Sequence, residues 1–407
     1  MGITMCLSDK SVKPQEQMTV FRPDFQKSGK RICLIGGKLQ GVEAAYLSQK
    51  AGLYVILIDK NKDALAREFA DEFHCFDVTK DKKAFIEISE KSDFMLPVNE
   101  NQETIDFLES VQHEINPRCA LLFDFDAYRI SCDKNKSKKY FRSVNVPTPT
   151  DRPTEPPFFV KPPNESGSSN ARIVKTEKEL ESVPADYLIE EYVEGPVWSL
   201  EVIGDGKHYE VVKETYIHLD DVYDCNQVTP LPKNPDLRKI TLDLASGLSL
   251  KGIMDVEAIE SKKGFKVLEI DARFPSQTPI CVYFSSGVNL ISLLIDAFEK
   301  PFDADSLKRA TNEKYKNHYG ILEHFLYEET KTAPLYGKLT SGGEHLVSKG
   351  KKLTPVFVSE NIEIYEFADQ KYKAYTIISH SKSQEEAEKY HQAAQLMVLE
   401  KNAPCES

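Results

Sequence analysis

In Phe265-Lys266-Val267-Leu268-Glu269-Ile270-Asp271-Ala272-Arg273, an apolar run carries two acids and an arginine at alternate positions. Residues two apart along a strand share a face, so Glu269, Asp271 and Arg273 project together. Just upstream, Ile253-Met254-Asp255-Val256-Glu257-Ala258-Ile259 reads as a second apolar strand, and Lys262-Lys263-Gly264 joins the two. Acids set among apolar residues are costly unless a cation meets them. Oxygen donors without His or Cys suit Mg²⁺, which shares its shell with phosphates and water. Arg273 beside them suits a phosphate or a carboxylate. A structural ion-pair cluster is the competing reading of the same residues.

Toward the N-terminus the pattern changes. Arg31-Ile32-Cys33-Leu34-Ile35 is a short apolar run that ends in Gly36-Gly37. A helix is expected from Gly41 to Gly52, then a buried strand Tyr54-Val55-Ile56-Leu57-Ile58 that ends in Asp59. Phe94-Met95-Leu96-Pro97-Val98 is a further strand, ending in Asn99-Glu100-Asn101. Strands alternating with helices predict an α/β unit with a doubly wound parallel sheet. Gly36-Gly37-Lys38-Leu39-Gln40-Gly41 lies between strand and helix, where glycines permit a tight turn and the helix start favours an anion. It is not a strict G-x-G-x-x-G, so a plain turn explains it equally well.

Proline clusters, Pro147-Thr148-Pro149 and Pro153 to Pro157, mark a linker into a second unit. That unit begins with Phe158-Phe159-Val160-Lys161 and includes Tyr187-Leu188-Ile189-Glu190. After Lys161 the chain enters Glu165-Ser166-Gly167-Ser168-Ser169, a loop of backbone amides and hydroxyls able to fold over phosphates. Glu190-Glu191-Tyr192-Val193 ends a strand, where backbone groups can meet an adenine edge with Tyr192 and Val193 as apolar walls. Gly204-Asp205-Gly206 signals a hairpin between two strands. A helix is expected from Ser383 to about Glu400, with Glu385 and Glu386 in its first turn.

Composition sets bounds on what the chain does. At 407 residues it is long enough for two or three domains and needs no disulfide or metal staple. The net charge of -12 disfavours tight nucleic-acid binding and attachment to anionic membranes. Eight scattered cysteines without C-x-x-C read as incidental thiols of a reducing cytosol. No apolar run approaches the ~20 residues a membrane span needs. The first residues lack the apolar stretch of a signal peptide, and Met5 and Cys6 spoil a myristoylation signal. Residues 1–28 are polar and aperiodic and are expected to be a loosely ordered extension.

Taken in order over residues 30–300, these segments resemble the ATP-grasp superfamily of carboxylate–amine ligases. The resemblance implies an ATP-grasp fold with an N-terminal Rossmann-like domain over 29–126. A small domain with a linker helix would span 127–203, and a large domain with a C-terminal α/β portion 204–407. It implies ATP and Mg²⁺, two ions per ATP, as the cofactors. Asp133 and Lys134 correspond to the first phosphate lysine and its neighbour. Lys161 corresponds to the second, with Ser166, Ser168 and Ser169 in the covering loop. Glu190, Glu191, Tyr192 and Val193 correspond to the adenine hinge, Glu257, Glu269 and Asp271 to the metal carboxylates, and Arg273 to the arginine on the transferred phosphate. Asp271 stands where most members carry Asn. Val197 and Trp198 stand where a ribose-binding polar side chain is usual.

Segments 32–41, 96–101, 252–257 and 269–279 further resemble the ligases of pyrrolysine biosynthesis. That resemblance implies a cytoplasmic enzyme joining the carboxylate of 3-methyl-D-ornithine to the ε-amine of L-lysine through an acyl phosphate. Leu39, Gln40 and Glu100 would face lysine, and Ser276, Gln277 and Thr278 the methylornithine. Glu201 or Asp255 could take the proton of the amine, as could a phosphate oxygen. Lys38, Asp59, Asp77 and Val78 could instead border a nucleotide in the first-domain crevice. The partners are amino-acid substrates, with no nucleic acid and no membrane; a homodimer stays open. A ligase for another amino-acid pair, a non-catalytic ATP sensor and a dinucleotide-dependent oxidoreductase are the alternatives. The last leaves Glu257, Glu269 and Asp271 unexplained.

Overall fold

The computed structural model describes residues 29–163, 170–220, 223–329, 337–341, 350, 352–368 and 373–403. The expected extension 1–28 and the loop residues Ser166, Ser168 and Ser169 lie outside the described residues. The first sheet is parallel and comprises β1 (Arg31–Ile35), β2 (Tyr54–Asp59), β3 (Glu72–Cys75), β4 (Phe94–Pro97) and β5 (Ala120–Leu121). Its order is β3-β2-β1-β4-β5. Helices α1 (Leu39–Lys50), α2 (Lys82–Ser89) and α3 (Gln102–Val111) cover it. The apolar runs are buried on both faces, as a helix-covered parallel sheet requires. Ile32, Leu34, Val55 and Leu57 pack with Ala44 and Leu47 of α1. Cys33, Ile35, Ile56 and Ile58 pack with Phe85 of α2 and Leu108 of α3.

The strand order reverses between β1 and β4, and ligands of such sheets sit at the carboxyl ends of the strands beside that point. Glycine makes the passage possible. Gly36 has φ +115°, and a Cβ there would lie 2.7 Å from the Val98 carbonyl oxygen. A Cβ on Gly41 would lie 2.4 Å from the Gly36 oxygen. Both positions exclude any other residue without movement of the backbone.

Helices α4 (Phe125–Ser131) and α5 (Lys134–Ser143) lead to a second, antiparallel sheet of β6 (Phe158–Lys161), β7 (Arg172–Val174) and β8 (Leu188–Glu191), with α6 (Glu177–Leu180) beside it. Its order is β7-β6-β8. The third sheet begins with β9 (Val197–Asp205), β10 (Tyr209–Leu219), β11 (Cys225–Pro230), β12 (Lys251–Ser261) and β13 (Gly264–Asp271). It continues through β14 (Tyr319–Glu329), β15 (Gly337–Ser341), β16 (Lys352–Val358), β17 (Ile362–Ala368) and β18 (Lys373–Ser381). The order is β13-β12-β9-β10-β11-β14-β18-β17-β16, with β15 against β14. Helices α7 (Pro235–Leu248), α8 (Thr278–Ser286), α9 (Leu290–Glu299), α10 (Ser306–Arg309) and α11 (Gln384–Asn402) complete the described elements.

The hairpin expected at Gly204-Asp205-Gly206 forms, with Tyr209 opposite Gly204. Helix α11 starts after Ser383, whose side chain accepts from the Glu386 amide. β9 runs across the boundary expected at 203/204, so the chain has already entered the third sheet by Val197. The six described cysteines are free thiols. Among the described residues no helix is long and apolar enough to cross a membrane.

Candidate active site

Three neighbouring strands of the third sheet align their polar residues in two rows. Asp255 on β12 stands opposite Glu201 on β9 and Asp271 on β13. Glu257, two residues on, stands opposite Ser199 and Glu269. Alternation along each strand puts both rows on one face. Five carboxylates thus share one patch of sheet within two strand spacings, about 10 Å.

So many acids in one place cannot all be charged without cations. Burial and then Glu269 push Glu257 well above the ordinary carboxylate range. Burial pushes Asp271 up to about 7, although Arg273 pulls it back. Burial and then Asp255 push Glu201 up to about 8. Asp255 is raised by burial too, and the Ser199 hydroxyl, which donates to its Oδ1, opposes the rise. Glu269 goes the other way: Lys134 and Lys161 outweigh its burial and hold it below the ordinary value. Glu269 is therefore the acid of the patch whose charge is best compensated. Neither oxygen of Glu201 makes a hydrogen bond of ordinary geometry among the described residues.

Each cation comes from a different element. Lys134 opens α5 and places its Nζ 3.3 Å from Glu269 Oε2. Lys161 ends β6 and lies 3.2 Å from Glu190 Oε2. Arg273 follows β13 and sets Nη2 2.6 Å from Glu100 Oε1 and 3.0 Å from Asp271 Oδ2. It thus ties the carboxylate patch to the end of β4 in the first sheet. Its place differs from the expected strand alternation. β13 ends at Asp271, and the Arg273 amide turns back to the Asp271 carbonyl at 2.9 Å.

The switch point of the first sheet opens into a crevice of about 620 Å³. Lys38, Leu39, Gln40, Asp59, Asp77, Val78 and Glu100 all line it, as do Arg273 and Ser276. Gln40 donates from Nε2 to Glu100 Oε1 at 3.0 Å. Asp59 is partly committed to the turn: its Oδ2 accepts from the Gly37 amide at 2.6 Å and its Oδ1 from the Asn61 amide at 2.7 Å. Asp77 accepts from the Thr79 hydroxyl at 2.7 Å, which holds its carboxyl below the usual range. Gln277 and Thr278 are buried, 4% and 3% exposed, and start α8 behind Ser276 instead of facing the crevice.

Several residues take roles other than those expected. The Asp133 side chain caps α5, accepting from the amides of Asn135 and Lys136 at 2.9 and 3.2 Å. Both capping bonds fall on the same oxygen, Oδ1, of that carboxylate. The Glu190 side chain is engaged in ion pairs. It is 1% exposed and lies between Lys161 and Lys138 Nζ, the latter at 2.7 Å. Glu191 is ion-paired with Lys266. Its amide donates to the Thr150 carbonyl at 2.9 Å, and the Tyr192 amide to that of Pro157 at 3.3 Å. Val193 is half-buried against the cluster that holds Val197, Ile217 and Ile259.

Sequence reasoning missed Lys138 and Ser199. A lysine one turn after Lys134 on the same helix, Lys134-Asn135-Lys136-Ser137-Lys138, was the available signal. Ser199 carried none, because only the register of β9 against β12 gives it Asp255. Among the described residues no three His, Cys, Asp or Glu side chains converge on a common point for a metal ion. The donor set nevertheless suits a hard cation that takes its other ligands from phosphate and water, since repulsion among Glu257, Glu269 and Asp271 leaves negative charge to be met.

Residues 131–277 match the ATP-grasp domain family. Over 357 residues the chain is 53% identical to a protein of Methanosarcina barkeri named 3-methyl-D-ornithine–L-lysine ligase, covering 88% of this chain and 94% of that one. A protein of the same name from Methanosarcina acetivorans is 51% identical over 372 residues, covering 91% and 98%. Among solved structures, an L-amino acid ligase from Bacillus licheniformis superimposes with a TM-score of 0.62 at 15% identity, covering 89% of this chain and 96% of that one. That likeness bears on the fold, which is an ATP-grasp fold preceded by a Rossmann-like sheet.

Proposed function

This chain belongs to the family of 3-methyl-D-ornithine–L-lysine ligases, and from that premise we propose that it joins the carboxylate of 3-methyl-D-ornithine to the ε-amine of L-lysine. It is an ATP-dependent carboxylate–amine ligase of pyrrolysine biosynthesis. The observation that carries the residue-level reading is Arg273, which meets Asp271 of the carboxylate patch and Glu100 of the crevice with one guanidinium nitrogen. Phosphate chemistry and amino-acid binding therefore meet at one side chain.

Lys134 and Lys161 neutralise the triphosphate. Glu257, Glu269 and Asp271 are the residues that would hold Mg²⁺, at two ions per ATP, and the metal when bound offsets charge on the reacting phosphates. A carboxylate oxygen of methylornithine bonds to the γ-phosphorus as the bond to ADP breaks, which gives the acyl phosphate. Arg273 meets the negative charge as it develops. The ε-amine of lysine then attacks the acyl carbon, and phosphate leaves with the bridging oxygen. The amine proton passes to a phosphate oxygen or to Asp255. Glu201 and Asp255 are both buried and both absent from the crevice wall, which makes a phosphate oxygen the better-placed acceptor. No enzyme nucleophile is required.

Lysine occupies the crevice. Glu100 pairs with an ammonium, Gln40 and Leu39 bracket it, and the start of α1 favours a carboxylate. Ser276 faces the methylornithine across the crevice. Lys38, Asp59, Asp77 and Val78 border the outer half, where Lys38 offers a cation to a carboxylate or a phosphate. We place the reaction in the cytoplasm, where ATP and free amino acids are available.

Incubation with ATP, Mg²⁺, L-lysine and 3-methyl-D-ornithine tests the reading by mass spectrometry. The expected product is the isopeptide, formed only when all four are present. ATP hydrolysis without that product would overturn the substrate assignment.

Two variants test the division of labour. Lys161→Ala removes a point charge from the phosphates, so the KM for ATP should rise about tenfold or more. Unchanged ATP kinetics would return Lys161 to a purely structural pairing with Glu190. Glu100→Ala removes the carboxylate proposed for the lysine ammonium. The KM for lysine should rise about tenfold or more, because a desolvated charge loses its partner. Hydroxylamine traps an acyl phosphate without using the lysine site, so methylornithine hydroxamate should still form. Loss of hydroxamate as complete as the loss of amide would move Glu100 to the methylornithine side.

A further inference from the structure

The structure assigns Lys138 as a positioning residue: it balances the charge of the Glu190 carboxylate so that Lys161 is free to transfer its own charge to the phosphates of ATP. This inference rests on the ligase reading above and adds a residue to its nucleotide site. The three side chains form a buried line. Lys138 Nζ lies 2.7 Å from Glu190 Oε1, and Lys161 Nζ lies 3.2 Å from Glu190 Oε2. Lys138, Glu190 and Lys161 are 4%, 1% and 7% exposed. Two ammonium groups thus share one carboxylate out of water.

The charge balance gives the arrangement its meaning. With both lysines charged, the line carries one positive charge in excess, part of which Asp151 offsets from 3.7 Å beyond Lys138 while it is itself ion-paired with Arg142. If Lys161 moves its ammonium toward phosphate, Lys138 and Glu190 remain as a neutral pair. Without Lys138, the same movement would leave a buried carboxylate with no cation, and breaking such a pair is strongly unfavourable. Lys161 would then stay on Glu190, and its charge would be cancelled before ATP arrived.

Lys138 is itself anchored to stay. Its Nζ donates to Thr148 Oγ1 at 2.7 Å and to the Pro149 carbonyl at 2.9 Å. Thr148 Oγ1 in turn donates to the Val267 carbonyl at 2.9 Å, on the strand that carries Glu269. Lys161 has a weaker hold beyond Glu190: its hydrogen bond to the Leu268 carbonyl is 3.5 Å long. The fixed lysine and the transferable lysine are therefore distinguishable by their hydrogen bonds.

The test is calorimetric binding of ATP and of adenosine to the full chain. Lys138→Met should weaken ATP at least tenfold and leave adenosine unchanged, because adenosine has no phosphate to draw Lys161 away. Lys138→Arg should bind ATP like the natural chain. Lys138→Met combined with Glu190→Gln should recover ATP affinity, since an uncharged amide needs no counter-ion. That double variant also carries the test if Lys138→Met alone folds poorly. Equal ATP affinity in Lys138→Met, a parallel loss for ATP and adenosine, or a double variant no better than Lys138→Met would overturn the inference. A natural chain that binds no ATP would overturn the ligase reading beneath it.

Discussion

Glu269→Gln is expected to lower ADP formation at least a hundredfold, with the melting temperature within a few degrees of the natural chain. The reasoning starts from the sheet. Glu269 is opposite Glu257 and 3.3 Å from Lys134, and it is the acid of the patch that the lysines hold ionised. It is therefore the residue best prepared to meet a divalent cation at neutral pH. Gln keeps the shape and loses the charge, so cation binding fails while packing survives. Its removal also relieves repulsion on Glu257 and Asp271, which limits any loss of stability. Thermal melting and ADP release, measured on the same preparation, separate the two effects. Near-normal turnover with unchanged Mg²⁺ dependence would refute a metal role for Glu269.

Arg273→Met should be of similar severity, for a different reason. The guanidinium is 9% exposed and lies between Glu100 and Asp271. Losing it removes the cation proposed to meet charge on the transferred phosphoryl group, and it leaves two carboxylates facing each other. We expect kcat to fall about a hundredfold or more, with a smaller change in the KM for ATP, as for an interaction made mainly in the transition state. Arg273→Lys should rescue little. A lysine offers one compact charge, whereas the guanidinium meets both carboxylates with a single nitrogen and has other planar N–H groups to offer the phosphoryl oxygens. A kcat within a few fold of normal in Arg273→Met would place Arg273 in the architecture of the crevice wall instead.

The local features were legible in the sequence, and the long-range ones were not. The runs 31–35, 54–58 and 94–98 are continuous and apolar, and each forms the buried parallel strand that such runs favour. Ser383 and the glycines after β1 announced a helix cap and a tight turn through chemistry that acts within a few residues. The pairing of Glu257 with Glu269 was within reach because a short turn joins their strands. Glu201 and Ser199 joined the patch through a strand some fifty residues away, a register that no local pattern encodes. The capping duty of Asp133 was not singled out, because an acid before a helix serves capping as readily as ligand binding. The ion pairs of Glu190 with Lys138 and Lys161 were not legible, because a strand end shows its backbone direction but not which buried cation its side chain will find.

Oxygen transfer is the most direct test of the central claim, that this site activates a carboxylate as an acyl phosphate and passes it to lysine. 3-Methyl-D-ornithine labelled with ¹⁸O in its carboxylate is incubated with the enzyme, ATP, Mg²⁺ and L-lysine. Phosphate, ADP and the isopeptide are then analysed by mass spectrometry. One labelled oxygen should appear in each phosphate formed and one should remain in each amide carbonyl, with none in ADP. Label in AMP, or unlabelled phosphate released alongside amide product, would contradict the account.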